Sequence, residues 1–401
     1  MLIVQKYGGT SVGDLERIQN VANRVAKSKS KGDRLVVVVS AMSGETDKLL
    51  GYTKHYSAIP DPREVDMVLS SGERVTSALL AIALNAMGLK AISLSGRGAG
   101  ITTDNHHGKA RIDHIDTSRI KDLLSQDNII IVAGFQGVTA LGEVTTLGRG
   151  GSDLSAVALA GALNADLCEI YTDVEGVYTT DPRIEPKAKK IDKISYDEML
   201  ELASMGAKVL LNRSVELAKK LNVNIITRSS FNNNPGTLIT KEEEIMENPI
   251  VSGIALDKNQ ARVSITNVED RPGIAAEIFG ALAEANINVD MIVQTIGYDG
   301  KTDMDFTIPK TELESAKLVL KRFENNVGGI ELDDNIAKVS IVGVGMKSHT
   351  GVASKAFKAL AQDNINIMMI STSEIKISMI INLKYAELSV RTLHATYELD
   401  K

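Results

Sequence analysis

Along the first half of the chain, short apolar runs without a helical period alternate with stretches whose apolar residues recur at three- and four-residue steps. The first run, Leu2 to Val4, reads as a buried strand. A helix follows on Leu15, Ile18, Val21, Ala22 and Val25, with Glu16, Arg17, Arg24 and Lys27 on its polar side. Leu35 to Val39 is rich in β-branched residues and predicts a strand buried on both faces, hence parallel and central. A helical stretch from Arg63 to Met87 is interrupted at Ser70–Arg74. A strand at Ala91–Leu94, a polar stretch, a helix near Ile115–Leu124 and a strongly apolar strand at Ile129–Val132 come next. An apolar helix at Leu154–Leu163, a strand and polar loop from Tyr171, helices near Tyr196–Ser204 and Leu211–Leu221, and a strand at Asn224–Thr227 complete this part. The βαβα order predicts a mainly parallel sheet between two helical layers.

The pattern changes at the charged connector Thr240–Asn248, ahead of Pro249, which marks a domain boundary. Beyond it the chain repeats itself. Ala261–Val268 aligns with Ala337–Val344, and Gly273–Ile292 with Gly351–Ile370, the second copy being longer in its Lys347–Thr350 turn. Each copy reads as strand, glycine turn, helix, Asn-Ile-Asn, strand and further strand, a ferredoxin-like βαββαβ layout. Two copies are too few for a solenoid, and they are expected to pair edge to edge into one joined sheet with ligand space where they meet. The expected domains are 1–245, 250–335 and 336–401, with 250–256 able to join the last.

Composition narrows the function classes. With 401 residues and 43% hydrophobic content, two or three packed domains are expected. A formal charge of −6 and the absence of a long Lys/Arg block argue against a nucleic-acid surface, so partners should be small molecules or further copies of the chain. The single cysteine, Cys168, sits in an apolar strand pattern and reads as inert; no disulfide framework follows. The N-terminus lacks a basic region followed by an apolar one, and no stretch approaches about eighteen uncharged apolar residues, so a cytoplasmic protein without membrane spans is expected.

Candidate chemistry lies at the strand ends. After Leu2–Val4 come Lys6, Gly8 and Gly9, with Thr10 and Ser11 able to cap a helix. Backbone N–H groups at such a turn, together with the lysine charge, form an anion seat. No Walker loop is present, because Gly300-Lys301-Thr302 has Thr295 where the first glycine belongs, and Gly96–Ile101 fails the dinucleotide fingerprint. Strand 35–39 ends in Ser40–Asp47, and strand 129–132 in Ala133–Gly137, at the edge where open α/β sheets hold ligands. Glu73 either stabilises a helix N-terminus or receives a substrate ammonium. Arg149 offers a planar fork suited to a carboxylate or phosphate, with Ser152 or Asp153 as a helix cap. In the repeats, the Asp270–Gly273 turn with Asn288 and Asp290 could hold an amino acid.

In order along the chain, K-Y-G-G-T-S at Lys6, S-A-M at Ser40, S-G-E-R at Ser71, G-F-Q-G at Gly134, G-R-G-G-S-D at Gly148, Y-T-D-V-E-G-V-Y at Tyr171 and D-P-R at Asp181 resemble the aspartate kinases of the amino-acid-kinase superfamily. The repeat resembles their tandem ACT domains. The resemblance implies a three-layer αβα fold followed by two ferredoxin-like ACT domains. It also implies ATP-dependent phosphorylation of the L-aspartate β-carboxylate to 4-phospho-L-aspartate, the entry to lysine, threonine and methionine synthesis. Lys6 would bridge the phosphates and Asp153 would hold it. Thr46, Glu73, Arg149, Gly150, Gly151 and Ser152 would bind aspartate. Lys6, Tyr7, Gly8, Gly9, Ser40, Thr172, Asp173, Tyr178, Arg183, Lys208 and Val209 would bind ATP, with Mg²⁺ carried on the nucleotide and no protein metal site. Lysine, threonine or both would act as feedback effectors at Asp270, Asn288, Asp290 and Gln294 of the first copy and Asn364 and Asn366 of the second, which diverges where Met368 replaces Asp290. Association of like subunits through the ACT domains is implied too. A carboxylate nucleophile is ionised at neutral pH, so no general base is required. Kinases of glutamate or N-acetylglutamate, and a non-catalytic amino-acid sensor, are the alternatives. A fused homoserine dehydrogenase is not expected at this length.

Overall fold

The computed structural model describes residues 1–204, 210–245, 250–297 and 300–401. The chain divides into two units, one made of 1–177, 190–204 and the described part of 208–246, the other of 178–189 and the described part of 247–401.

The first unit is built on an eight-stranded sheet in the order Lys193–Ser195, Thr237–Thr240, Ile225–Ser229, Leu167–Thr172, Leu2–Tyr7, Arg34–Val39, Ile129–Ala133, Ala91–Leu94. All neighbours are parallel except 225–229 with 237–240. The central strands are buried on both faces, as a parallel sheet between helices requires. On one face Ile3, Tyr7, Leu35, Val37, Val39, Ile129 and Ile131 pack against the helices Leu15–Lys29 and Ser71–Ala86 through Ile18, Val21, Val25, Leu80 and Leu84. The helix Gly151–Leu163 covers the strands Leu2–Tyr7, Arg34–Val39 and Leu167–Thr172 and is itself packed by Asn212–Leu221. Almost every residue of 151–163 is buried, which suits its nearly uninterrupted apolar composition.

Two local expectations change. Thr10 and Ser11 lie in a short 3₁₀ turn, Gly9–Val12, and the long helix is capped instead by Asp14, whose carboxylate accepts from the Arg17 N–H at 2.8 Å. The cap is the residue just before the helix, and that position belongs to Asp14; Ser11 Oγ instead donates to Ser230 Oγ at 2.8 Å. At the other helix the cap position belongs to Gly150, in the left-handed region at φ 68°, with Ser152 and Asp153 inside the first turn. The polar stretch after 91–94 folds into a second sheet, Ile112–Ile115, Ile101–Thr103, Gln136–Val138 and Val144–Thr146. The helical stretch Pro62–Ala86 is long and apolar enough to cross a membrane, yet half of its most apolar window is buried inside the protein, as in a core helix.

In the second unit, 260–269, 274–284, 292–296, 301–309, 313–320 and 329–333 form βαββαβ with sheet order 292–296, 301–309, 260–269, 329–333. The following copy has strands Ile336–Val342, Ile367–Thr372 and Lys376–Asn382 and helices Val352–Gln362 and Ala386–Thr396. Its fourth strand is Gly253–Asp257, antiparallel to Ile336–Val342. The expected single joined sheet does not form within the chain: among the described residues of the second unit there are two separate four-stranded sheets. Met291, Ile336, Met369 and Ile380 make a small apolar contact between them, so side-chain packing rather than a shared ladder joins the copies.

Candidate active site

Register brings four strand ends to one edge. Tyr7 lies opposite Val39 and Tyr171, and Val39 opposite Ala133, so the turns after each strand are neighbours. Lys6 and Tyr7 point to opposite faces by strand alternation. Lys6 points toward the helix 151–163, where its Nζ meets Asp153 Oδ1 at 2.6 Å, both side chains nearly out of solvent. Tyr7 points the other way and is fully buried, its ring stacked on Tyr171 with centroids 4.6 Å apart. Its ring is a core group, so the Tyr7 side chain is not open to a nucleotide as expected. The turn that follows needs glycine for close approach: a Cβ on Gly8 would lie 3.3 Å from Lys6 Nζ, and one on Gly9 3.0 Å from Ala41 O.

The Ser40–Ala41 turn is also where Glu73 arrives. Helix Ser71–Ala86 presses onto it so closely that a Cβ on Gly72 would come within 2.8 Å of the Ala41 methyl. Glu73 is 3% exposed; Oε1 accepts from the Ala41 N–H at 3.2 Å, and Oε2, though buried, has no hydrogen-bond partner. Burial pushes its carboxyl up to about 7, against the pull of those backbone donors. Thr46 sits in the first turn of the helix Glu45–Tyr56 that follows. On the adjoining turn, a Cβ on Gly134 would strike Ser152 Oγ at 2.8 Å, and Ser155 Oγ accepts from Phe135 N at 3.1 Å, so the 134–135 turn is locked to the start of the helix 151–163. Arg149 is exposed on the turn just before that helix.

The remaining expected nucleotide residues divide. Ser40 N donates to Tyr7 O at 3.1 Å, and Thr172 Oγ1 donates to Asp173 Oδ1 at 3.1 Å beside the Gly8 turn, whose N–H donates to Tyr171 O. Tyr178 and Arg183 belong to the second unit, where Arg183 forms a two-point contact with Asp181 and is otherwise exposed. Lys208 and Val209 lie outside the described residues. Cys168 is buried, and burial raises its thiol far above the usual range, so it is inert as expected.

Among the effector candidates, Asp270, Asn288, Gln294, Asn364 and Asn366 are exposed. Asn364 takes φ 55° just after the helix 352–362, and Asn286 takes φ 58° at the matching place, a conformation asparagine tolerates at turns. Asn288 and Asp290 lie just before the strand Ile292–Ile296. Asp290 is ion-paired with Lys338 of the second copy, whose side chain is 5% exposed.

Several groups that order this site were not apparent in the sequence. Gln136 Nε2 donates to Ser70 O at 2.8 Å and so pins the start of the Glu73 helix. Glu169 accepts from Gln5 at 2.8 Å and from Arg228 beneath the Tyr7–Tyr171 stack. Asp66 is fully buried in the helix Pro62–Leu69; the signal was a charge one turn from Leu69 on an apolar face. Among the described residues no group of three or more His, Cys, Asp or Glu is placed to hold a metal.

Residues 1–228 match the amino acid kinase family, and residues 261–328 and 339–397 each match the ACT domain. The chain is 69% identical to the aspartokinase of Helicobacter pylori over the full length of both. Its structure is similar to E. coli aspartokinase III solved with aspartate and ADP in the R-state, at a TM-score of 0.82 and 26% identity, covering 99% of each chain. It is also similar to the same enzyme solved with lysine and aspartate in the T-state, at a TM-score of 0.81 and 26% identity, again covering 99% of each. Glycine turns, a buried lysine–carboxylate pair and two tandem repeats therefore fall where sequence and fold agree: the chain belongs to the aspartokinases, amino acid kinases followed by two ACT domains.

Proposed function

We propose that this aspartate kinase transfers the γ-phosphoryl group of ATP to the β-carboxylate of L-aspartate, giving 4-phospho-L-aspartate and ADP, the first step toward lysine, threonine and methionine. The observation that carries the substrate assignment is Glu73, a buried carboxylate with one oxygen unpartnered beside the anion-binding turns. A substrate ammonium supplies the missing donors and holds the carboxylate ionised, with Thr46 alongside. Arg149 and the Gly150–Ser152 backbone grip a substrate carboxylate. Lys6 bridges the phosphates and draws off charge as it builds, held in place by Asp153, while Gly8, Gly9, Ser40, Thr172 and Asp173 line the nucleotide. The aspartate oxygen forms the new P–O bond as the bond to the departing ADP oxygen breaks; positioning and positive charge do the catalysis. Mg²⁺ carried on the nucleotide would neutralise phosphate charge. The E. coli relative solved with aspartate and ADP supports this reading.

The test is a hydroxylamine trap. Purified protein with ATP and Mg²⁺ is expected to form hydroxamate with aspartate at least tenfold faster than with glutamate, and equal rates would refute the assignment.

Feedback inhibition by lysine at the ACT pair is the regulatory part of the proposal, with Asp270, Asn288, Asp290 and Gln294 as ligands; the lysine-bound T-state structure of the E. coli relative supports it. Because Lys338 already pairs with Asp290, an effector ammonium competes with an internal one. Lys338→Met removes the competitor and is expected to lower the half-inhibitory lysine concentration severalfold. Inhibition curves for the two proteins, measured side by side, check this; unchanged or weaker inhibition counts against Asp290 as a ligand.

A further inference from the structure

The turn that carries Arg149 is held from both flanks by side chains with no assigned part in the reaction. On the upstream flank, Asp66 accepts from Thr146 Oγ1 at 2.5 Å, from the Gly108 N–H at 3.0 Å and contacts His107 Nδ1 at 2.8 Å. Ala110 N donates to Thr146 O at 2.9 Å, closing the 107–110 loop over the end of the strand Val144–Thr146. The two loops touch so closely that a Cβ on Gly148 would lie 3.2 Å from Gly108 O. From the helix Asn212–Leu221, Arg213 reaches both loops at once: Nη1 donates to Leu147 O at 2.8 Å and Nη2 to Ala110 O at 2.7 Å. Leu211 packs against Gly150, where a Cβ would overlap its side chain.

A guanidinium is planar and its fork is rigid, so one side chain bonded to two carbonyls fixes the distance and angle between the segments that carry them. Leu147 O and Ala110 O belong to buried residues, and without Arg213 they would lose these donors. Arg149 itself is exposed and long, and a long side chain grips well only when its backbone is immobile.

We infer that Arg213 and Asp66 are positioning residues that aim Arg149 at the aspartate carboxylate and so set the affinity for the acceptor. The inference rests on the proposed grip of Arg149 on aspartate. It predicts a selective effect, because the clamp acts on the acceptor side of the site and leaves Lys6 and the Gly8–Gly9 turn alone.

Steady-state kinetics test it. Arg213→Ala is expected to raise KM for aspartate at least tenfold while KM for ATP stays within about twofold; Arg213→Lys, which keeps one donor to one carbonyl, should recover part of the loss. Thr146→Val, which removes a single donor from Asp66, gives a smaller shift of the same selectivity and serves if Arg213→Ala does not fold. In an Arg149→Ala background, Arg213→Ala should add less than twofold. Equal increases in both KM values, or fully additive effects of Arg149→Ala and Arg213→Ala, would overturn the positioning role. If Arg149→Ala alone leaves KM for aspartate unchanged, the grip fails first and the inference falls with it.

Discussion

Replacing Lys6 by methionine is expected to lower kcat on the order of 10³-fold, the loss typical when a preorganised charge is removed from a developing anion in a water-poor site. Methionine keeps most of the length of the side chain and removes the charge. The complication is Asp153, which would be left buried without its cation; losing one member of such a pair costs about 3–5 kcal/mol. The Lys6→Met/Asp153→Asn double variant removes both charges and is expected to recover the melting temperature without recovering turnover. Measuring kcat and thermal unfolding for the single and double variants separates the two effects. A double variant that regains both stability and activity would show that Lys6 serves the fold alone.

The second large effect belongs to Glu73. Glu73→Gln keeps the shape and removes the charge that the proposed mechanism uses to receive an ammonium, and a hydrogen bond to a charged partner is worth about 1.5–3 kcal/mol. KM for aspartate is accordingly expected to rise on the order of a hundredfold, with KM for ATP little changed. In the parent protein, burial raises the carboxyl from 4.5 to about 7. Only its ionised form can pair with an ammonium, so the apparent affinity for aspartate should fall about tenfold for each pH unit below 7 and level off above it. Stability runs in the opposite sense. Between 4.5 and 7 the folded chain holds a proton that the unfolded chain has released, so stability falls as pH rises through that window, and the full cost is present above it. From pH 5 to pH 8, the Gln variant should therefore gain about 2–3 kcal/mol on the parent, read from denaturant unfolding at the two pH values. A parent whose stability and aspartate affinity are flat over that range would remove Glu73 from the binding role.

Both predictions concern residues visible in the sequence, because strand ends are local features. Leu2–Val4 and Leu35–Val39 announce themselves by composition, and the glycine, serine and lysine positions after them are read from the same few residues. The tandem repeat is legible for a similar reason: Ala261–Val268 and Ala337–Val344 share their apolar pattern, and that pattern specifies one helix-on-sheet unit. What escaped reading is long-range pairing. Thr103 and Thr145 meet at 2.6 Å inside a small sheet of short, polar strands that carry almost no period to detect. Gly253–Asp257 is separated from its sheet by a whole ACT repeat; the sequence allowed it to join the last domain, but only the fold shows that it lies antiparallel to Ile336–Val342. Asp66 and Arg213 bond backbone groups of loops far away in sequence, and no local pattern names those partners.

The order of residue types along the chain thus determined, unaided, the layered α/β fold, the repeated ferredoxin-like tail and the identity of Lys6, Glu73, Arg149 and Asp153 as the groups to watch. Only the tertiary structure decided that Glu73 keeps an oxygen unpartnered at a raised pKa, and that two separate sheets, rather than one, complete the chain. The division has one physical cause: secondary structure and turn chemistry follow from neighbours in sequence, whereas desolvation and charge pairing depend on what packs around a group, and that is set by contacts between segments far apart in the chain.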